Sequence, residues 1–301
     1  MAQGIGAVVF EMMQYFTNGI ISAAYIALVG VGVLLVYRAS SYLPFTHGAI
    51  FAFSAYMTYF LAGILQVPVF LAVAFGGLAA ASLGVLLETL GFGPLRERGG
   101  GALVLLIAAI GLYTVLVNIL SLAFGDTART LRFWTVEEGW RFFSARITTV
   151  QIITLTSSLI CLLGTWAFIR RTRLGRCLKA VANDSELALI VGIEVGRIHL
   201  WAAGVGSALV GIAGILFAYD VDMTPSMGLR PLMTGVVAML IGGGTLWGTM
   251  FGALLIGIVQ QLGVIWVSAR WQEAIVFVIL LAFLIFRPQG FFGKRVKKAT
   301  V

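Results

Sequence analysis

Charge is scarce in this chain. Only 11% of its 301 residues are Asp, Glu, Lys or Arg, against 60% that are hydrophobic, and the mean hydropathy is +1.03. A water-soluble globule of that length needs far more polar surface, so a soluble domain is excluded and the composition is that of a multi-spanning membrane protein. Acidic residues are the scarcest: 12 Asp and Glu stand against 20 Lys and Arg, a net charge of +8. None of them falls in the body of an apolar run, Glu88 lying at the end of one. An ion-coupled carrier needs a buried carboxylate for its coupling ion, and that requirement is not met here.

Other chemistries are missing too. The two cysteines, Cys161 in an apolar run and Cys177 in a polar stretch, have no metal-ligand spacing and read as packing residues; no metal site is expected. Neither His-Glu-x-x-His, nor Gly-x-Ser-x-Gly, nor a pair of intramembrane aspartates occurs, which counts against a membrane hydrolase. The run Gly290-Phe-Phe-Gly-Lys294 lacks both the spacing and the following Ser or Thr of a phosphate-cradling loop. The chain is expected to bind no cofactor and to hydrolyse no ATP by itself. Its N-terminus has no basic stretch before the first apolar run, so no cleavable signal is expected and the first span is retained.

What remains is a succession of apolar runs near 15–37, 43–64, 68–89, 102–124, 148–169, 200–219, 232–243, 248–267 and 273–286. A helical span needs about 20 apolar residues, which makes the fold class an all-α polytopic bundle of eight to nine transmembrane helices in one domain, 1–301. The run 232–243 is short, and Gly242 to Gly244 separate it from the next, so it reads either as a span or as a half-helix lining a cavity. Basic residues orient the bundle. Arg38, Arg96 and Arg98, six cations between 170 and 199, and the tail Arg287, Lys294, Arg295, Lys297 and Lys298 fall on alternate loops, which places those loops and the C-terminus in the cytoplasm and the N-terminus outside. The tail cluster also suits anionic lipid. Topology thus accounts for the positive charge, and no nucleic-acid partner is expected. The exception is 125–147, where Arg129, Arg132, Arg141 and Arg146 lie outside among Phe133, Trp134, Trp140, Phe142 and Phe143, an amphipathic outer segment.

Small residues at every fourth position mark faces for close helix packing, Gly244, Gly248 and Gly252 in one set and Ala203, Ser207 and Gly211 in another. Small polar residues in the runs, Asn18, Ser22, Thr46, Thr234 and Thr245, are candidates to line a pathway; so is His47, read otherwise as a hydrogen-bonded residue near a helix start. His199 reads as an interfacial anchor.

The polar stretch 170–199 is the one sizeable piece of chain that must sit in water. Asn183 and Glu186 have capping-box spacing, so a short helix is expected at about 184–191, with Leu187, Ile190 and Val191 on one face and Gly192 ending it in the left-handed conformation. An apolar face in that place either packs back on the bundle or inserts into a partner's groove.

The run Glu186-Leu-Ala188-Leu-Ile-Val-Gly192 resembles the Glu-Ala-Ala-x-x-x-Gly loop by which permeases of ABC importers dock on their ATPases, departing from it at Leu187. Arg173-Leu-Gly-Arg176 and Ala180-Val-Ala-Asn-Asp184 are similar to the LIV-type permeases for branched-chain amino acids. So, in order along nearly the whole chain, are Gln14 to Gly19, Phe45-Thr-His-Gly48, Thr224-Pro-Ser-Met-Gly228, Gly242 to Gly248 and Arg287-Pro-Gln-Gly290. Two departures are Ala49, where that family usually has an acidic residue, and Arg230 beside the Pro-x-x-Gly turn. The resemblance implies a permease subunit in a bacterial or archaeal plasma membrane. It would pair with a second LIV-type permease, two cytoplasmic ATPases that use ATP and Mg, and an extracytoplasmic solute-binding protein. Docking would then fall to Glu186, Leu187, Ala188, Ile190, Val191 and Gly192. Branched-chain amino acids are the implied solute, with urea, short amides or another small solute as same-family alternatives; a sugar permease, an ion-coupled carrier and an intramembrane enzyme fit less well.

Overall fold

The computed structural model describes residues 2–132, 139–142, 145–287 and 289–293. In chain order the elements are α1 (Ala2–Ser40), α2 (Thr46–Tyr59, prolonged by a π-helical turn Phe60–Ile64), α3 (Val69–Leu87, prolonged by a π-helical turn Glu88–Phe92), α4 (Gly93–Glu97) and α5 (Ala102–Phe124). Next are β1 (Trp140–Phe142), β2 (Ala145–Ile147), α6 (Thr149–Arg171), α7 (Arg173–Asn183), α8 (Ser185–Ile190) and α9 (Val195–Asp220). Last come α10 (Leu229–Ile241), α11 (Leu246–Gly263) and, after a 3-10 turn Ala269–Trp271, α12 (Gln272–Phe286).

Eight helical stretches among the described residues are long and apolar enough to cross a membrane, and they coincide with eight of the nine apolar runs. The ninth run is α10. Its 13 residues rise roughly 20 Å, short of a hydrocarbon core about 30 Å thick. The chain before it turns inward: Gly228 lies against the backbone of Gly48 and the side chain of Phe51, and Phe51 stacks on Phe217 of α9 with ring centroids 5.6 Å apart. The half-helix alternative is therefore the one observed.

Helix α1 is the central post, packed against α6, α9, α10 and α11 and buried along most of its length from Ile21 to Val36. Glycine makes this possible. Gly32 of α1 and Gly206 of α9 meet so closely that a Cβ on either would strike the other's carbonyl oxygen. Helices α3, α5, α6 and α12 stand outside, with large apolar side chains such as Phe70, Ile107, Ile160 and Leu281 exposed, as lipid-facing helices require.

The outer segment is tied down by backbone and arginine. Arg129 and Met223 exchange backbone hydrogen bonds of 3.0 and 2.7 Å, and a two-stranded hairpin pairs Trp140 with Ile147. The Arg129 guanidinium donates to the carbonyl of Phe124 at the end of α5 (2.6 and 3.1 Å), and Arg132 donates to that of Tyr219 near the end of α9 (3.2 Å). These two arginines satisfy helix C-termini, where the peptide dipole favours a cation, which explains their place on the face with few other cations. Phe133, Trp134, Phe143 and the tail from Lys294 onward lie outside the described residues.

Most of the stretch 170–199, expected to be a loop with one short helix, is helical. Thr172 caps α7 by accepting the Gly175 N–H at 3.0 Å. Gly175, Leu178 and Val181 turn inward while Arg173, Arg176 and Lys179 face out, an i, i+3, i+6 pattern on both faces. Packing of that apolar stripe on the bundle holds the helix despite its charge.

Candidate functional site

At one end of the bundle α8 projects from the corner between α7 and α9. Asp184, in an extended conformation, accepts the N–H groups of Glu186 and Leu187, each at 3.0 Å. Asp184 is therefore the cap. Asn183, expected in that role, ends α7 instead: its backbone is still helical there, whereas Asp184, with φ −159° and ψ 111°, has the extended backbone a cap needs. At the far end Gly192 has φ +82°, and the Ile193 N–H returns to the Ala188 carbonyl at 2.9 Å, closing the helix with a left-handed glycine. With both ends satisfied, Ala188 alone turns inward (2% exposed); Ile190 and Val191 are 79% and 73% exposed, with Leu187 and Leu189 beside them. Four aliphatic side chains presented together outside the bundle form a surface that gains free energy on being covered.

The link from α8 to the spans is short. Residues 191–194 join α8 to α9, and one turn into α9 lies His199, read from sequence as an interfacial anchor but in fact buried. Arg96 donates to His199 Nδ1 and pairs with Glu88 at 2.5 Å, so the opposite ring nitrogen carries the proton and donates to the Ala39 carbonyl at 2.9 Å. The network clamps the start of α9 to the ends of α1 and α4 and to the π-helical turn after α3.

The other end of the bundle holds a vestibule of about 620 Å3 between α1, α9, α10, α11 and the start of α12. Its walls are mixed. Tyr25, Ile26, Phe217 and Met227 supply apolar surface, while Asp222, Arg230, Arg270 and Glu273 supply charge of both signs. Arg230 pairs with Glu273 at 2.7 Å, their side chains 83% and 49% exposed, so the pair is screened and exchangeable. Gln261 donates to Ser22 at 3.2 Å, and Thr234 donates to the Arg230 carbonyl at 3.0 Å. The first turn of α10 opens here, bringing the positive end of a half-helix to the same space.

Of the pathway candidates, Ser22 and Thr234 are brought together in the vestibule. Asn18 lies outside its lining, bonded to Gln14 at 3.2 Å. Thr46 and His47 are buried at the start of α2; His47 stands beside Gly206, with neither ring nitrogen hydrogen-bonded, so the expected hydrogen bond is not made. Thr245 caps α11 by accepting the Gly248 N–H at 3.1 Å, at the opposite end from the vestibule. Sequence reasoning missed Gln260, Gln261 and Glu273, although two adjacent glutamines in an apolar run were a visible signal. Among the packing glycines, Gly248 and Gly252 press on the backbones of Gly242 and Ala238, but Gly244 does not belong with them. It precedes α11 in a turn with φ +63° and open space around it, so the fourfold spacing does not continue onto a helix face there. No group of three or more His, Cys, Asp or Glu suited to a metal occurs among the described residues.

Residues 15–284 match the family model described as the branched-chain amino acid transport system / permease component. The chain belongs to this family. Its relatives include the high-affinity branched-chain amino acid transport system permease protein LivH of Escherichia coli K12, 29% identical over 94% of this chain and 96% of that protein. BraD of Pseudomonas aeruginosa, named for the same transport system, is 26% identical over 95% and 97%. Among solved structures, PsaBC from Streptococcus pneumoniae in complex with Fab overlays with a TM-score of 0.52 at 17% identity, covering 91% of this chain and 92% of that one, a likeness of fold. As a member of the permease family the chain is a multi-span helical membrane protein and a transport subunit.

Proposed function

We propose that this chain is the membrane-spanning subunit of an ABC importer that carries branched-chain amino acids inward, driven by two separate ATPases docked on α8 and fed by a solute-binding protein at the vestibule. The observation that carries the reading is α8 itself, an apolar helix capped at both ends, exposed, and joined to α9 by four residues. The end bearing α7, α8 and the last turn of α12 is then cytoplasmic and the vestibule faces outward, in line with the basic residues of the former. A second LIV-type permease completes the pathway. No ATP site is assigned to this chain; closure of the ATPases moves α8, and the clamp on α9 passes that motion to α1 and α3.

The vestibule suits the solute. A branched-chain amino acid has a carboxylate, an ammonium and an aliphatic side chain. Arg230 with the α10 N-terminus matches the first, Asp222 and Glu273 the second, and Ile26, Phe217 and Met227 the third.

The test is Leu187→Asp combined with Ile190→Asp. Both side chains are exposed, so insertion and thermal stability should stay at parent levels. In proteoliposomes with the purified partners, binding-protein-stimulated ATP hydrolysis and leucine uptake should fall at least tenfold, because two carboxylates would have to be desolvated on docking. Full uptake by the double variant would refute the assignment of α8.

A further inference from the structure

At the α8 end, the last turns of α1 and α6, helix α7 and the first turn of α11 enclose a groove of about 300 Å3. Leu34, Leu35, Ile169 and Leu178 line it with apolar surface, and Trp166 and Trp247 stand edge to face, centroids 6.1 Å apart. Three cations, Arg38, Arg170 and Lys179, complete the lining, the Arg170 guanidinium 5.2 Å above the Trp166 ring. The acidic partners of the ion pairs among the described residues are taken elsewhere, by Arg96, Arg197 and Arg230. Three cations with no ion pair among the described residues, over an apolar slot, make a site for an amphiphile with a negative head.

We propose that this groove holds one anionic phospholipid, its phosphate among Arg38, Arg170 and Lys179 and an acyl chain laid on Trp166, Leu246 and Trp247. The level of the groove favours a lipid over a soluble anion. Helices α1 and α6 end at Ser40 and Arg171 and α11 begins at Leu246, so the groove runs from where spans leave the hydrocarbon into the headgroup layer, the depth at which tryptophan concentrates. The charge favours an acidic headgroup over a zwitterionic one, whose ammonium would meet three cations. That the leaflet is the cytoplasmic one rests on the orientation proposed above; the chemistry of the lipid does not.

The assembled complex, reconstituted with equal parts of phosphatidylglycerol and phosphatidylethanolamine and then taken into mild detergent, can be weighed with its retained lipids by native mass spectrometry. The parent should keep phosphatidylglycerol in preference. Substituting Arg38→Gln, Arg170→Gln and Lys179→Gln together should cut phosphatidylglycerol retention about tenfold, with phosphatidylethanolamine unchanged. Arg171→Gln, Arg173→Gln and Arg176→Gln, an equal loss of charge outside the groove, should leave it as in the parent. Equal retention by parent and groove variant, or an equal fall in the control, would overturn the proposal. An independent arm keeps all three cations. A photoreactive side chain at Ala182, in the groove wall, should label lipid in native membranes, and capture of a partner subunit there instead would show that protein fills the groove.

Discussion

The two ends of the bundle are built in opposite ways. At the α8 end, backbone polarity is settled within nine residues, by Asp184 at one terminus and Gly192 at the other, and apolar side chains are left facing outward. At the vestibule end the polar side chains face a shared cavity, and their partners are far apart in sequence: Ser22 meets Gln261, and Arg230 meets Glu273. A locally closed apolar helix is a rigid body to be gripped by a protein. A cavity of loosely paired charges is a surface that a small solute can re-pair. Under the proposed function, force transmission falls to one end and solute recognition to the other.

Substitutions that affect one end and spare the other test that division. The largest effect is expected from Gly192→Pro, since proline cannot reach φ +82° and removes the N–H that bonds Leu189 at 3.0 Å. Maximal uptake should drop at least tenfold with an unchanged KM, measured with saturating binding protein; a raised KM at full maximal rate would erase the distinction between the ends. Arg230→Gln comes next. It leaves Glu273 exposed to water, so folding should be intact, and loss of one carboxylate partner should raise the KM for leucine roughly three- to tenfold while stimulated ATP hydrolysis persists. Loss of ATPase stimulation in that variant would place Arg230 in coupling. The smallest effect belongs to Asp184→Ala, which removes one cap worth about 1 kcal/mol and should lower uptake several-fold without changing KM. Asp184→Asn should restore it, because the amide oxygen still accepts.

The same contrast explains what was legible in the sequence. The spans and the terminator at Gly192 depend on local composition and on one residue's φ, and both are readable from a window of residues. Spacing alone puts the cap one residue early, since Asn183 and Asp184 are both good caps and only the arrival of α7 decides between them. Helix α7 is not legible from uncharged runs, because its arginines outweigh the apolar set Leu174, Leu178 and Val181. The Glu88, Arg96 and His199 cluster was not found because its members are distant in sequence, and no local pattern marks residues that meet only when α3, α4 and α9 pack. Gly244 shows the converse error: a fourfold spacing carried past the end of the helix that would give it meaning.

The short helix α10 has a further consequence, for water. Residues 221–228 are non-helical backbone that turns into the bundle at Gly228; some of their peptide groups are bonded, to Arg129 and within the turn, and the rest must be solvated by something. Where they border the vestibule, the hydration they need is part of the architecture. A solute that settles there displaces some of that water and has to replace its hydrogen bonds, which an amino acid's charged head can do and a purely aliphatic molecule of the same size cannot. Leucine and a branched alkane would meet the same apolar wall, yet only the one with a polar head leaves the backbone beneath it satisfied.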